Sequence, residues 1–131
     1  MSKEIHKNKI SEQKPEIDSA GTQRFYNEKC QLHRDNDLPA IIWSDGTQEW
    51  YQNGERHRDN DIPAVIDANG YKAWYQNNKF HRDNDQPAII FADGYKAWFQ
   101  NDKRHRDNDL PAIIDADGYQ EWYKNGKLIK G

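Results

Sequence analysis

The chain has 131 residues, formal net charge −3, 34% hydrophobic and 31% charged residues, and a mean hydropathy of −1.28. That is room for one domain, not a multidomain enzyme. The acidic balance also argues against a protein that coats nucleic acid or an anionic membrane, since both need a net basic surface.

No aromatic side chain precedes Phe25, whereas five tryptophans, seven tyrosines and four phenylalanines fall between Phe25 and Tyr123. Residues 1–20 therefore read as a polar, flexible tail, and residues 21–131 as a single folded domain. The tail's charges cancel, and no apolar run has the length of a signal-peptide core or a membrane span. A lone cysteine, Cys30, cannot form an internal disulfide, which suits a reducing compartment. The expected location is the cytoplasm.

Along the body, His-Arg-Asp-Asn-Asp starts at His33, His57, His81 and His105, at a strict and uninterrupted interval. Pro39, Pro63, Pro87 and Pro111 keep the same register, as do Trp50, Trp74, Trp98 and Trp122. The copies divide as 31–55, 56–79, 80–103 and 104–127. A degenerate half-copy at 21–30 precedes them, and a cap strand at 128–131 follows.

Each copy carries two turn signals. Asp45-Gly46, Asn69-Gly70, Asp93-Gly94 and Asp117-Gly118 suit two-residue type I′ hairpins, and so do Asn53-Gly54, Asn77-Asn78, Asn101-Asp102 and Asn125-Gly126. Two turns give three short strands, and no 3.6-residue apolar periodicity calls for a helix. The predicted fold is all-β, an elongated antiparallel β-hairpin repeat array built as a meander or a β-solenoid.

Two-residue turns would set Val65 opposite Trp74 and Trp74 opposite His81. The same spacing gives Ile41, Trp50 and His57, then Ile89, Trp98 and His105, and Ile113, Trp122 and Ile129. The other face would carry Tyr51 with Arg56, Tyr75 with Phe80, Phe99 with Arg104, and Tyr123 with Leu128. There Glu49 would face Arg58 and Glu121 would face Lys130 as exposed pairs, leaving the Trp side the drier one.

From Gly70 to Ala88 the chain reads Gly-Tyr-Lys-Ala-Trp-Tyr-Gln-Asn-Asn-Lys-Phe-His-Arg-Asp-Asn-Asp-Gln-Pro-Ala. This pattern resembles MORN-like repeats in the form found in many bacterial, phage and large-virus proteins. The Trp-Tyr-x-Asn-Gly core matches Trp50 to Gly54, Trp74 to Asn77 without the final glycine, and Trp122 to Gly126. The resemblance implies β-hairpin architecture and a scaffolding or partner-binding role, antitoxin-like in several bacterial relatives. The glycines that stud standard MORN units are largely missing, so membrane association is not carried over.

Binding would fall to the regular face: Trp50, Trp74, Trp98 and Trp122, the neighbouring Tyr51, Tyr75, Phe99 and Tyr123, and the arginines Arg58, Arg82 and Arg106. The expected function is that of a noncatalytic module for a protein partner, as an adaptor or an inhibitor of immunity or antitoxin type. One alternative is glycan binding on an exposed Trp/Tyr ladder. Another is a structural array, either self-assembling as a homo-oligomer through its sheet edges or stabilised by calcium on the Asp-Asn-Asp loops.

Asx turns, and ion pairs with the preceding Arg34, Arg58, Arg82 and Arg106, account for those aspartates without metal. Histidines two strands apart sit roughly 9.6 Å from one another, too far to share an ion bonded at about 2.0–2.1 Å. No metal or other cofactor is expected. The Arg56-His57-Arg58 and Arg104-His105-Arg106 triplets are each followed by aspartates that repel phosphate, so nucleic acid is not expected either. Every candidate catalytic side chain is copied four times, which signals a surface or a framework rather than an asymmetric active site.

Overall fold

A computed structural model of the chain describes residues 13–131. Among the described residues there are seventeen strands and no helix, so none long and apolar enough to cross a membrane. The strands are β1 (Glu16–Ile17), β2 (Gln23–Arg24), β3 (Ile41–Ile42), β4 (Gln48–Glu49), β5 (Tyr51–Gln52), β6 (Glu55–Arg56), β7 (Val65–Ile66), β8 (Lys72–Ala73) and β9 (Tyr75–Gln76). They continue as β10 (Lys79–Phe80), β11 (Ile89–Ile90), β12 (Lys96–Ala97), β13 (Phe99–Gln100), β14 (Lys103–Arg104), β15 (Ile113–Ile114), β16 (Gln120–Lys124) and β17 (Lys127–Lys130).

Eleven of these form one antiparallel sheet in the order β1-β2-β3-β4-β7-β8-β11-β12-β15-β16-β17. The order never crosses over, so the array is a meander. At a strand spacing near 4.8 Å the sheet is about 48 Å across. The missing pairs, β5–β6, β9–β10 and β13–β14, are two-stranded ribbons standing beside it.

Trp50, Trp74 and Trp98 are the switch residues. Trp50 separates β4, which belongs to the sheet, from β5, which belongs to a ribbon. Its amide donates to Ala64 O at 2.7 Å, while its carbonyl accepts from His57 N at 3.2 Å. One residue thus serves two sheets, which is why most strands are only two residues long. The ribbons are stacked by backbone bonds as well, with Gly54 N, Asn78 N, Asp102 N and Gly126 N each donating at 2.8 Å to the preceding ribbon.

The ribbon turns follow the sequence expectation. Asn53 (φ 51°) and Gly54 (φ 85°), Asn77 and Asn78, Asn101 and Asp102, and Asn125 and Gly126 all occupy the left-handed region. Tyr51 accordingly pairs with Arg56, Tyr75 with Phe80, Phe99 with Arg104 and Tyr123 with Leu128.

The sheet turns do not. Gly70 has φ 96° but Asn69 keeps a negative φ, so the loop closes over three residues, with Asp67 N donating to Tyr71 O at 2.9 Å and Gly70 N to Asp67 O at 3.2 Å. The Asp67 carboxylate accepts from the Asn69 and Tyr71 amides. It caps a three-residue loop with glycine in the left-handed position instead of a type I′ turn. Pairing shifts by one residue, so Val65 faces Ala73 and Ile66 faces Lys72. The same shift holds for Ile41 with Glu49, Ile89 with Ala97 and Ile113 with Glu121. At the C-terminal end a bulge between Trp122 and Tyr123 sets Trp122 opposite Lys130 rather than Ile129.

The corrected register produces a row in which large and small residues alternate: Phe25, Ala40, Trp50, Ala64, Trp74, Ala88, Trp98, Ala112, Trp122. All four of these alanines have no exposed surface, and Trp50, Trp74 and Trp98 are 6–7% exposed. Trp122, at the end of the row, is half-buried. Behind the sheet the ribbon rings supply the other half of the core. Phe99 and Ile113 pack with Ala97, Ala88 and Trp74, and Phe80, Ile89 and Tyr123 lie against them. Ile41 and Ala40 pack with Tyr51. Both faces are therefore dry, not the Trp side alone.

Glu49 is buried and bonds Arg56 at 3.0 Å rather than lying opposite Arg58 in solvent. The array also begins before Gly21. β1 pairs with β2, setting Glu16 opposite Arg24, and Phe25, 3% exposed, takes the place of a repeat tryptophan. Of the expected tail, residues 1–12 lie outside the described residues. Within the half-copy, Glu28 to Cys30 form a three-residue loop, with Asn27 N donating to Gln31 O at 2.9 Å and Cys30 at φ 61°.

An alanine between two tryptophans has no room for growth. Ala88→Val should lower unfolding free energy by about 1–3 kcal/mol, measured by urea denaturation, whereas the same change at exposed Ala92 should stay within about 0.5 kcal/mol.

Candidate functional site

Each buried tryptophan is held by a clamp from two copies. Arg58 stacks its guanidinium 3.7 Å from the Trp50 ring centre. The same guanidinium donates from Nε and Nη2 to the Asp37 carboxylate at 2.8 and 3.2 Å and from Nη1 to Pro63 O at 3.1 Å. The Trp50 Nε1–H donates to Asp37 O at 3.1 Å. Arg82, Trp74 and Asp61 repeat the arrangement, as do Arg106, Trp98 and Asp85.

The ends of the row are simpler. Arg34 covers Phe25 at 3.7 Å, and Lys130 sits 4.6 Å above Trp122. Arg58, Arg82 and Arg106 thus pair with an aspartate of the preceding copy, and not with the acids that follow them in sequence. Asp37 and Asp85 are held below the usual carboxylate range chiefly by these guanidinium hydrogen bonds.

The repeated histidines bond two neighbours. In His57, Nδ1 accepts from Asn77 N at 3.1 Å, which leaves the proton on Nε2, 2.8 Å from Asp59 Oδ1. His33, His81 and His105 do the same toward Asn53, Asn101 and Asn125. Each ring therefore ties an Asp-Asn-Asp loop to the next ribbon turn. Asn60 (φ 67°) and Asp61 (φ 57°), with their counterparts, hold successive left-handed conformations. Among the described residues no three His, Cys, Asp or Glu side chains converge on a metal position.

The loops border shallow grooves. One, of about 690 Å³, is lined by Asp59, Asn60, Trp74, His81, Asp83 and Asn84 among others. A second, of about 250 Å³, is lined by Asp83, Asn84, Trp98, His105, Asp107 and Asn108, the same residue types one copy further on.

The candidate binding residues chosen from sequence thus fall into the framework. Trp50, Trp74 and Trp98 lie under arginines, so no sugar ring can stack on the covered faces, and Arg58, Arg82 and Arg106 are committed to carboxylates. Tyr51 and Phe99 are buried, Tyr75 and Tyr123 half-buried. Arg56 lies between the Tyr51 and Tyr75 rings at 5.3 and 5.5 Å, and Arg104 between Phe99 and Tyr123 at 5.9 and 5.4 Å. Burial, then the Glu49 carboxylate, pushes the Tyr51 hydroxyl up to about 12. Burial takes Tyr75 to about 12 as well.

A different row remains open, at the sheet-turn ends of the strands: Trp43, Thr47, Asp67, Tyr71, Phe91, Tyr95, Asp115, Tyr119. Phe91 is 43% and Tyr119 54% exposed, and Trp43 sits at 36%. Phe91 meets Tyr71 and Tyr95 edge-on, with ring centres 4.9 and 5.2 Å apart. Sequence reading passed over this row because its members sit beside the glycine turns and change from copy to copy. The available signal was the alternation of Trp43, Asp67, Phe91 and Asp115 at one repeat position, each paired across its turn with Thr47, Tyr71, Tyr95 or Tyr119.

No protein-family model, no curated protein and no solved structure matches the chain.

The clamp predicts coupling between copies. Arg82→Ala and Trp74→Leu, combined in a double-mutant cycle, should show an interaction of about 0.5–2 kcal/mol, read from denaturant unfolding. Additive effects would rule out a stacking contribution.

Stability should also fall at both pH extremes. Asp37 and Asp85 ionise more readily in the folded state, so their contribution is present above their ordinary value of 3.8 and is lost as pH falls below it. Tyr51 and Tyr75 stay protonated more readily when folded, so theirs is present below 10.0 and is lost as pH rises through about 12. Ultraviolet titration of tyrosinate with unfolding followed by circular dichroism checks the alkaline limb, and Asp37→Asn should flatten the acid limb.

Proposed function

We propose that the chain is a MORN-like, noncatalytic repeat module that binds a protein partner, as an adaptor or an inhibitor of immunity or antitoxin type. The observation that carries this reading is the open aromatic row from Trp43 to Tyr119, the one row of large rings among the described residues in which several stand at least a third exposed. Rigid aromatic side chains on a fixed sheet supply contact area at small entropic loss, as protein interfaces use them. Two grooves repeat the same residue types one copy apart, which favours a ruled surface over a single reaction centre. The exposed free thiol of Cys30 fits a reducing, cytoplasmic setting.

Self-assembly through the sheet edges has less support. The sheet ends on β1 and β17, and β1 offers only Glu16 and Ile17 to a new ladder, a short and partly charged edge of the kind that resists strand addition.

The test is site-specific photo-crosslinking in the native host, with a photoreactive residue at position 91 or, as control, at position 59. A discrete protein adduct from 91 and none from 59 is the expected result. Binding of oligosaccharides that Phe91→Ala abolishes, without a protein adduct, would favour the glycan reading instead and sink this one. Tyr119→Ala should weaken the adduct while moving stability by no more than about 0.5 kcal/mol.

A further inference from the structure

Among the described residues, the aromatic rings of the framework share one partner chemistry. Phe25, Trp50, Trp74 and Trp98 each lie under an arginine whose guanidinium carbon is 3.7–3.9 Å from the ring centre. Arg56 and Arg104 serve the ribbon rings, and Arg24 stands 5.3 Å from Trp43. Among the described residues, no cation stacks over the Tyr71, Phe91, Tyr95 or Tyr119 ring.

Acids flank these uncapped rings. Asp67 immediately precedes Tyr71 in the cross-strand row, and Asp115 lies between Tyr95 and Tyr119. The Oδ1 atoms of Asp67 and Asp115 accept turn amides. Their Oδ2 atoms have no hydrogen-bond donor among the described residues. From Asp67 to Asp115 is four strand spacings, about 19 Å, room for five or six extended residues.

Uncapped rings beside half-used carboxylates repeat the Trp–Arg–Asp clamp with the arginine left out. We infer that the row from Asp67 to Tyr119 docks an arginine-bearing extended segment of a protein partner, whose guanidinium groups stack on Tyr71, Phe91, Tyr95 or Tyr119 and pair with Asp67 and Asp115. The inference rests on the proposed function and names the partner's chemistry. Arginine fits better than lysine, because a planar guanidinium lies flat on a ring while its edge still donates to a carboxylate, as Arg58 does between Trp50 and Asp37.

The experiment is selection from a random peptide display library on the full chain, with counter-selection on the Phe91→Ala/Tyr119→Ala variant, followed by calorimetry with the synthesised peptides. Expected are binders enriched in arginine, weakened about threefold by Arg→Lys and about tenfold by Arg→citrulline exchange. Asp115→Asn keeps an acceptor for the turn and should weaken binding about threefold without shifting the melting midpoint. Row-dependent binders without arginine enrichment would overturn this inference and leave the protein-partner reading standing. No row-dependent binder of any kind would overturn both. Tyr119→Ala alone, at a site 54% exposed, serves if the double variant fails to fold.

Discussion

Everything in this array hangs on the indole of each copy being seated between two neighbours. Trp50 gives its N–H to the loop before it, its face to the arginine after it, and its backbone to both a sheet and a ribbon. Because Asp37 accepts Arg58 while Asp37 O accepts Trp50, the loop of one copy is tied to the copy that follows it. Such nearest-neighbour dependence is what a stack of units too small to fold alone requires. A partly buried guanidinium, stacked and bonded to carboxylate and carbonyl, has its charge satisfied as well as shielded.

The histidines complete that logic. A neutral imidazole, one nitrogen accepting and the other donating, bridges a turn amide and a carboxylate in a way that neither lysine nor a carboxamide of other reach would copy. Histidine at 33, 57, 81 and 105 is therefore accounted for by hydrogen-bond geometry, and the Asp-Asn-Asp loops by left-handed backbone and interlocking pairs.

The strict repeat period, the absence of helix and the ribbon turns at Asn53-Gly54 and its equivalents were legible because they depend on local chemistry. The sheet-turn register was not. Asn69-Gly70 suits a two-residue turn equally well, and the larger loop is capped by a carboxylate in every copy, from Asp67 and Asp115 in two of them and from Asp45 and Asp93 in the others. That single step moved alanine opposite tryptophan and produced the alternating core row. Interlocking between copies was equally hidden, since Arg58 and Asp37 belong to different copies and only the fold brings them together. Hence the residues that looked most like a binding surface, Trp50 through Arg106, turn out to hold the copies to one another, and the exposed row was overlooked for its irregularity.

That irregularity carries its own consequence. The clamps recur at every junction between copies, but the open row reads Trp43, Asp67, Phe91, Asp115, so the outer surface has twice the pitch of the scaffold beneath it. To a ligand, the working unit is a pair of copies. Lengthening or shortening the protein by one copy would preserve every internal clamp yet exchange aromatic for acid along the rest of the row, while a change by two would keep the phase. Surface and scaffold can thus vary under separate constraints, and the face that meets the outside world is free to diversify without loosening what lies behind it.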